Sequence, residues 1–336
     1  MPSTIRSFRL GVFWSLLSAL LWSTTFVSGR YLIGRHQVDP VTLSLLRYAV
    51  GGVVLLGFGL WRYRQEILAV KIRDILILSA LALSGLVGMS VLLFLGQQST
   101  TAINSSLIMQ LNPVLMLLLG VFVGERLHWR NATGIMISLT GTLFVIDIIG
   151  PRGFALSLGR GSGDFMVLAA ATCWAVYSVL NKPAVNRLGG YACTMWAMLA
   201  AAAELAAIQG LLPVPIQWPQ GAFNWCLILY LAIFPTAVAF FAWCEAMNHI
   251  NLSLLSVMQY LTPAFTILLA WFFLGEGMTP WQWIGVGIVA AGITLVSTHQ
   301  TRKIHPTTPA KTPPTATPAV PAKATSQDPL PTQSRS

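Results

Sequence analysis

Two kinds of side chain recur in pairs along this sequence, and the pairing is the first sign of chemistry. Gln110 and Gln259 each follow a methionine and precede a proline, as Met109-Gln110 with Pro113 and Met258-Gln259 with Pro263. Trp22 and Trp174 stand at matching places in two apolar runs. An amide carries donors and acceptors that can orient a polar group on a small molecule. Indole rings wall in an apolar or planar body, and Tyr177, one turn from Trp174, adds a ring with a hydroxyl. Each proline removes an N–H and frees the carbonyl four residues earlier, at Met109 and Gln259. Packing kinks and hinges are both open readings, and the symmetric placement favours hinges. Glu204 is the one acid set well inside an apolar run, where a desolvated carboxyl can take up and release a proton; the competing reading is a carboxylate solvated at an interface. The five histidines fall near run ends or in the tail. Cys173, Cys193, Cys226 and Cys244 form no CxxC pair, so they read as small hydrophobes. We therefore expect no catalytic constellation, no metal site and no cofactor.

The elements that position these residues follow from composition. Of 336 residues, 55% are hydrophobic and 9% charged, against roughly 25% charged in a soluble domain. So few charges cannot cover a soluble exterior, and the missing solvent is lipid. A spanning helix needs about 20 mostly apolar residues. Ten such runs cover approximately 11–29, 41–61, 74–96, 101–123, 131–148, 163–181, 190–209, 223–245, 250–273 and 281–298. The expected fold class is an all-α integral membrane bundle of ten transmembrane helices. The net charge of +10 lies between apolar runs rather than on a soluble face, so no nucleic acid is expected as a partner.

The first run could be taken for a signal peptide, but a copy of it recurs inside the chain. Gly11, Phe13, Ala19, Trp22 and Arg30 return at one constant spacing as Gly163, Phe165, Ala171, Trp174 and Lys182. Further on, Gly124-Glu125 returns as Gly275-Glu276, and Gly134 and Gly141 return as Gly285 and Gly292. Each copy spans five runs. An odd number inverts the second copy in the membrane, giving two inverted five-helix repeats, 1–150 and 151–298.

Orientation follows from Lys and Arg. Arg6, Arg9, Arg62, Arg64, Lys71, Arg73, Arg126, Arg130, Lys182 and Arg187 fall on one side, against Arg30, Arg35, Arg152 and Arg160 on the other. Both termini are expected to be cytoplasmic. Arg47 lies about two turns into the second run, shallow enough to snorkel to the surface. Glu245 and Asp147 sit at run ends, facing water or capping helices, and Glu125 and Glu276 orient the Gly-Glu turns. Residues 299–336 are rich in Pro and Thr and cannot bury enough apolar surface to fold. They read as a disordered cytoplasmic tail with a basic anchor at Arg302 and Lys303.

Two stretches, Thr101 to Gly141 and Phe234 to Gly292, resemble the drug/metabolite transporter superfamily, specifically its ten-helix EamA-type exporters. The resemblance spans roughly residues 10 to 298. It implies two inverted repeats, alternating access, and a central cavity lined mainly by the first, third, fourth, sixth, eighth and ninth helices. The expected function is secondary active export of small metabolites, amino acids or amphipathic drugs across the inner (plasma) membrane, with the lipid bilayer as surroundings. No GxxxxGKS/T motif is present, so coupling is to protons or by exchange. A homodimer stays open. An integral-membrane lipid-modifying enzyme would need clustered His, Asp or Ser at an interface. A non-transporting scaffold would not need the duplicated polar residues of helices four and nine.

Overall fold

The structure, a computed structural model, describes residues 2–34, 38–122, 129–145, 149–150, 153–154, 162–211, 218–249 and 261–304. Apart from a two-residue antiparallel pairing of β1 (Ile149–Gly150) with β2 (Gly153–Phe154), the regular structure of these residues is helical. Among the described residues, six apolar segments are long enough to cross a membrane: Phe8–Gly34, Pro40–Arg62, Ile72–Gly96, Ser162–Val185, Gly190–Leu211 and Ala222–Ala246. The chain is a multi-pass membrane protein.

The first two segments belong to α1 (Pro2–Gly34) and α2 (Pro40–Arg62). The start of α2 is fixed by Asp39, which accepts the Thr42 N–H at 2.8 Å, with Pro40 in the first turn where its missing N–H costs nothing. A short α3 (Arg64–Leu68) leads to α4 (Ile72–Ala82), and this third span continues through a π-helical turn, Leu83–Gly88, into α5 (Met89–Gly96). The fourth apolar run is not one helix. It is α6 (Ala102–Met109) and α7 (Asn112–Phe122), parted at Gln110 and Leu111 one turn ahead of Pro113. Trp129–Val145 forms α8.

The later half supplies α9 (Ser162–Leu188) and α10 (Gly190–Leu211), separated by Gly189 at φ 86°, a left-handed conformation suited to glycine. The next span is α11 (Ala222–Leu231), a second π-helical turn, Ala232–Val238, and α12 (Ala239–His249). Leu261–Leu274 forms α13, and α14 runs from Pro280 to Ile304. Helix is continuous to Ile304, past residue 299 where the tail is expected to begin. Residues 305–336 lie outside the described residues.

The two largest apolar clusters among the described residues hold much of the bundle. One gathers Phe26, Leu43, Phe94, Ile103 and Val167, and the other gathers Tyr48, Leu86, Tyr177, Met195 and Met198. The outer faces stay apolar, as lipid contact requires: Val53, Leu76, Leu229, Trp271 and Phe272 are all exposed. Helix α8 packs along α14, and a Cβ at Gly141 would lie 2.8 Å from the Gly285 carbonyl oxygen.

Candidate functional site

The two π-helical turns sit mid-way along the third span and along Ala222–Ala246; α2 packs against the second and reaches the first through Tyr48. In the second turn, Pro235 has no N–H to give the carbonyl of Leu231, four residues back. The Thr236 hydroxyl takes over, donating to Leu231 O at 2.8 Å. The same hydroxyl accepts from Arg47 Nε at 2.6 Å. The next residue of α2, Tyr48, donates to Leu86 O in the first π turn at 3.3 Å. Gly51, one turn further, permits the approach, since a Cβ there would lie 2.9 Å from Thr236 Cγ2 and 3.0 Å from Ala232 O.

Arg47 therefore does not snorkel. It is 4% exposed, lies 5.3 Å from the centre of the Tyr48 ring and 5.9 Å from that of Phe94, and its Nη1 is buried with no hydrogen-bond partner. The expected escape to the surface fails because the side chain faces the Ala232–Val238 π turn and Phe94 of α5, not lipid.

Beyond Thr236, α12 carries the ring that joins the two predicted tryptophans. Phe240 lies 5.4 Å from Trp22 and 6.3 Å from Trp174, both edge to face. Trp243 adds a contact of 5.5 Å to Trp22, and Tyr177 lies 5.4 Å from Trp174. Edge-to-face ring pairs of this kind hold about 0.5–1.5 kcal/mol each beyond area burial. Tyr177 is buried while Trp22, Trp174, Phe240 and Trp243 are half-buried, so these rings keep open faces. The helices that carry these tryptophans also carry polar atoms. Thr24 accepts from the Tyr230 hydroxyl at 3.1 Å, while Thr25 Oγ1 and Asn181 Oδ1 are buried without partners.

The other predicted residues divide. Gln110 is half-buried at the α6–α7 break, and its N–H bonds Leu107 O at 3.1 Å, so the Met109 carbonyl lies at an interruption of the helix. The ring contacts that join Trp22 to Trp174 run through Phe240 and not through Gln110. Pro113 opens α7, and Pro263 is buried in the first turn of α13. Gln259 lies outside the described residues, as do Glu125 and Asp147. Glu204, on α10, accepts from the Ser79 hydroxyl of α4 at 2.5 Å, and its Oε2 is buried without a partner. The partner of Glu204 is Ser79 rather than any aromatic of the cluster. Glu245, at the end of α12, accepts from the Tyr63 hydroxyl at 2.7 Å. Burial first, then the Glu245 carboxylate, push the Tyr63 phenol up to about 12.

At the end of the bundle where α1 and α5 terminate, the carboxylate of Glu276 accepts the N–H groups of Ala102 at 3.0 Å and Ile103 at 3.3 Å, filling donors that the first turn of α6 leaves unmet. Arg30 Nε lies 3.8 Å from the same carboxylate. Burial pushes the Glu276 carboxyl above its ordinary range, against the opposing pull of these N–H groups and Arg30. Gln282 donates to Asn104 at 3.1 Å, and Thr100 bonds Asp164. These bonds close this end of the bundle across both halves of the sequence.

The sequence pattern of the EamA-like transporter family matches residues 9–147 and again 161–298. The chain belongs to the EamA-like transporter family. It is 28% identical to a probable terminal-alkyne amino-acid exporter of Streptantibioticus cattleyicolor, over 84% of this chain and 92% of that one. It is also 28% identical to the aromatic amino acid exporter YddG of Ancylobacter novellus, over 74% of this chain and 84% of that one. A solved crystal structure 25% identical to it superposes with a TM-score of 0.61, covering 88% of this chain and 98% of that chain. Phe240 and Trp243 were not singled out from sequence. Their spacing of three on an apolar helix reads as ordinary packing until the two tryptophans are seen around them.

Proposed function

We propose that this family member is a secondary active exporter of small amphipathic molecules, amino acids among them, in the plasma membrane. Its ten helices form two inverted five-helix repeats that move against each other, with both termini in the cytoplasm. The observation that carries the reading is the meeting of Trp22 and Trp174, one from each half of the sequence, on Phe240. Half-buried rings from both halves make a surface that changes when the halves move, as alternating access requires. The two matches of the family pattern and the amino-acid exporters among the relatives support it. In this orientation, the closed end bearing Arg30 and Glu276 is periplasmic.

Efflux of phenylalanine and leucine from cells expressing the chain tests the reading. Trp22→Ala and Trp174→Ala each remove ring contacts worth about 1 kcal/mol or more and should slow efflux several-fold. Gln110→Ala and Gln259→Ala leave a substrate polar group unpaired, costing about 1–3 kcal/mol, or about tenfold in affinity. Unchanged efflux in all four, at normal membrane abundance, would refute the pocket. Reporter fusions after Arg73 and after Gln217 should report cytoplasm and periplasm in turn. The opposite result at either site would refute the inverted arrangement.

A further inference from the structure

Arg47 holds a charge that the protein leaves unanswered. A guanidinium does not shed its proton to escape burial, and a buried cation without a counter-charge is unfavourable enough that native structures pair it. Here Nε is committed to Thr236, while Nη1 is buried and unpartnered. None of the described acids pairs with it. Asp39 caps α2, Asp74 pairs with Arg187, Asp164 bonds Thr100, Glu204 bonds Ser79, Glu245 bonds Tyr63, Glu276 caps α6 and Glu66 is exposed on α3. The ion pairs of the described residues use Arg30, Arg187 and His249, not Arg47.

Its position couples it to the aromatic cluster. Thr236 and Phe240 lie about one turn apart on the same span, so the guanidinium is bonded one turn from the ring that joins Trp22 and Trp174. Tyr48 and Phe94 flank it with ring faces, which hold a guanidinium in place without neutralising it.

We propose that Arg47 anchors the carboxylate of the transported molecule, with Nη1 donating to a carboxylate oxygen while the apolar body of the molecule lies against Phe240, Trp22 and Trp174. The substrate class is then amphipathic monocarboxylates. This rests on the exporter reading and narrows it, since an amphipathic drug without an acid group would leave Nη1 unmet. The anchor also links recognition to movement. Arg47 and Tyr48 are bonded to the π turns of two different spans, so an anion drawn to the guanidinium bears on both.

The test uses the full-length purified chain and paired probes: phenylalanine against phenylalaninamide, leucine against leucinamide, and 3-phenylpropionate against 3-phenylpropionamide. Ligand-induced shifts in apparent melting temperature, titrated to apparent affinities, should favour each acid over its amide by tenfold or more. Arg47→Met keeps the side-chain volume and should bring acids down to the level of amides, without lowering the melting temperature of the unliganded chain, because an unpaired buried charge has been removed. A merely structural arginine would lose stability instead. Where Arg47→Met does not accumulate, Arg47→Lys carries the test, because one ammonium on a flexible stem cannot hold both Thr236 and a carboxylate; its acid preference should fall several-fold. Equal binding of acid and amide by the unaltered chain overturns the anchor, as does an acid preference kept in full by either variant. So does stabilisation by chloride or inorganic phosphate equal to that by the acids. Each of these leaves the exporter reading standing, because that is judged by efflux in the Trp22 and Trp174 variants.

Discussion

Gly85 lies in the first π-helical turn against Tyr177, the buried ring beside Trp174. A Cβ built on Gly85 would sit 2.1 Å from Tyr177 Cγ, 2.2 Å from its Cβ and 2.4 Å from its Cδ2. Ordinary carbon contacts are about 3.5–4.0 Å, so Gly85→Ala demands a separation of more than about 1 Å. Rotating the ring cannot supply it, because the Tyr177 Cβ is fixed to the α9 backbone, and the third span and α9 must part. Overpacking of this kind costs about 1–3 kcal/mol, and a forced backbone shift points to the upper end. Against it stands the gain of about 1 kcal/mol that Ala has over Gly in a helix. The net expectation is destabilisation by about 2 kcal/mol, a fall of a few degrees in apparent melting temperature, with slower efflux because Tyr177 is displaced beside Trp174. Gly57→Ala is the control, since nothing lies within 4 Å of a Cβ built there and only the helical gain remains. Thermal unfolding of the two variants in the same detergent should shift in opposite directions. A Gly85→Ala chain that melts at or above the unaltered one would refute the packing argument.

Two further perturbations address the carboxyls. Glu204→Gln should abolish transport driven by a pH gradient in proteoliposomes while leaving substrate binding intact; gradient dependence that survives would move the proton site elsewhere. Because burial raises the Glu276 carboxyl above its unfolded value, the folded state holds the proton more tightly, and the stability this gives is lost as pH rises through the folded value. Melting curves across the acid range should show the unaltered chain losing stability relative to Glu276→Gln as pH increases, starting near pH 4.5, where an unfolded glutamate titrates; the reverse slope would show that the α6 N–H groups and Arg30 dominate.

What the sequence made legible is what a one-dimensional pattern can carry. The apolar runs at 11–29, 41–61, 74–96, 163–181, 190–209 and 223–245 match the six spans to within a few residues, because crossing lipid is a matter of length and apolarity. The fourth run is continuous in apolarity, and its break into two helices falls just before Pro113. Repetition disclosed Trp22 and Trp174, since an indole at the same place in two copies stands out where a single one does not. The π turns were less accessible. In the second, a Thr236 hydroxyl bonds the Leu231 carbonyl that Pro235 cannot serve, and only the adjacent Pro-Thr pair in mid-span points to it.

Arg47 shows why depth alone misleads. It lies about two turns into α2, and snorkelling would follow if that face met lipid. Whether it does is a property of the neighbours, and the sequence held a clue in Gly51, one turn below on the same face of α2. A glycine on a lipid-facing stripe forfeits apolar surface for nothing, whereas on a packed stripe it lets another backbone come close, as Ala232 O does here. An arginine one turn from such a glycine, on the same stripe, is therefore directed towards a neighbouring helix, and its charge has to be met inside the bundle.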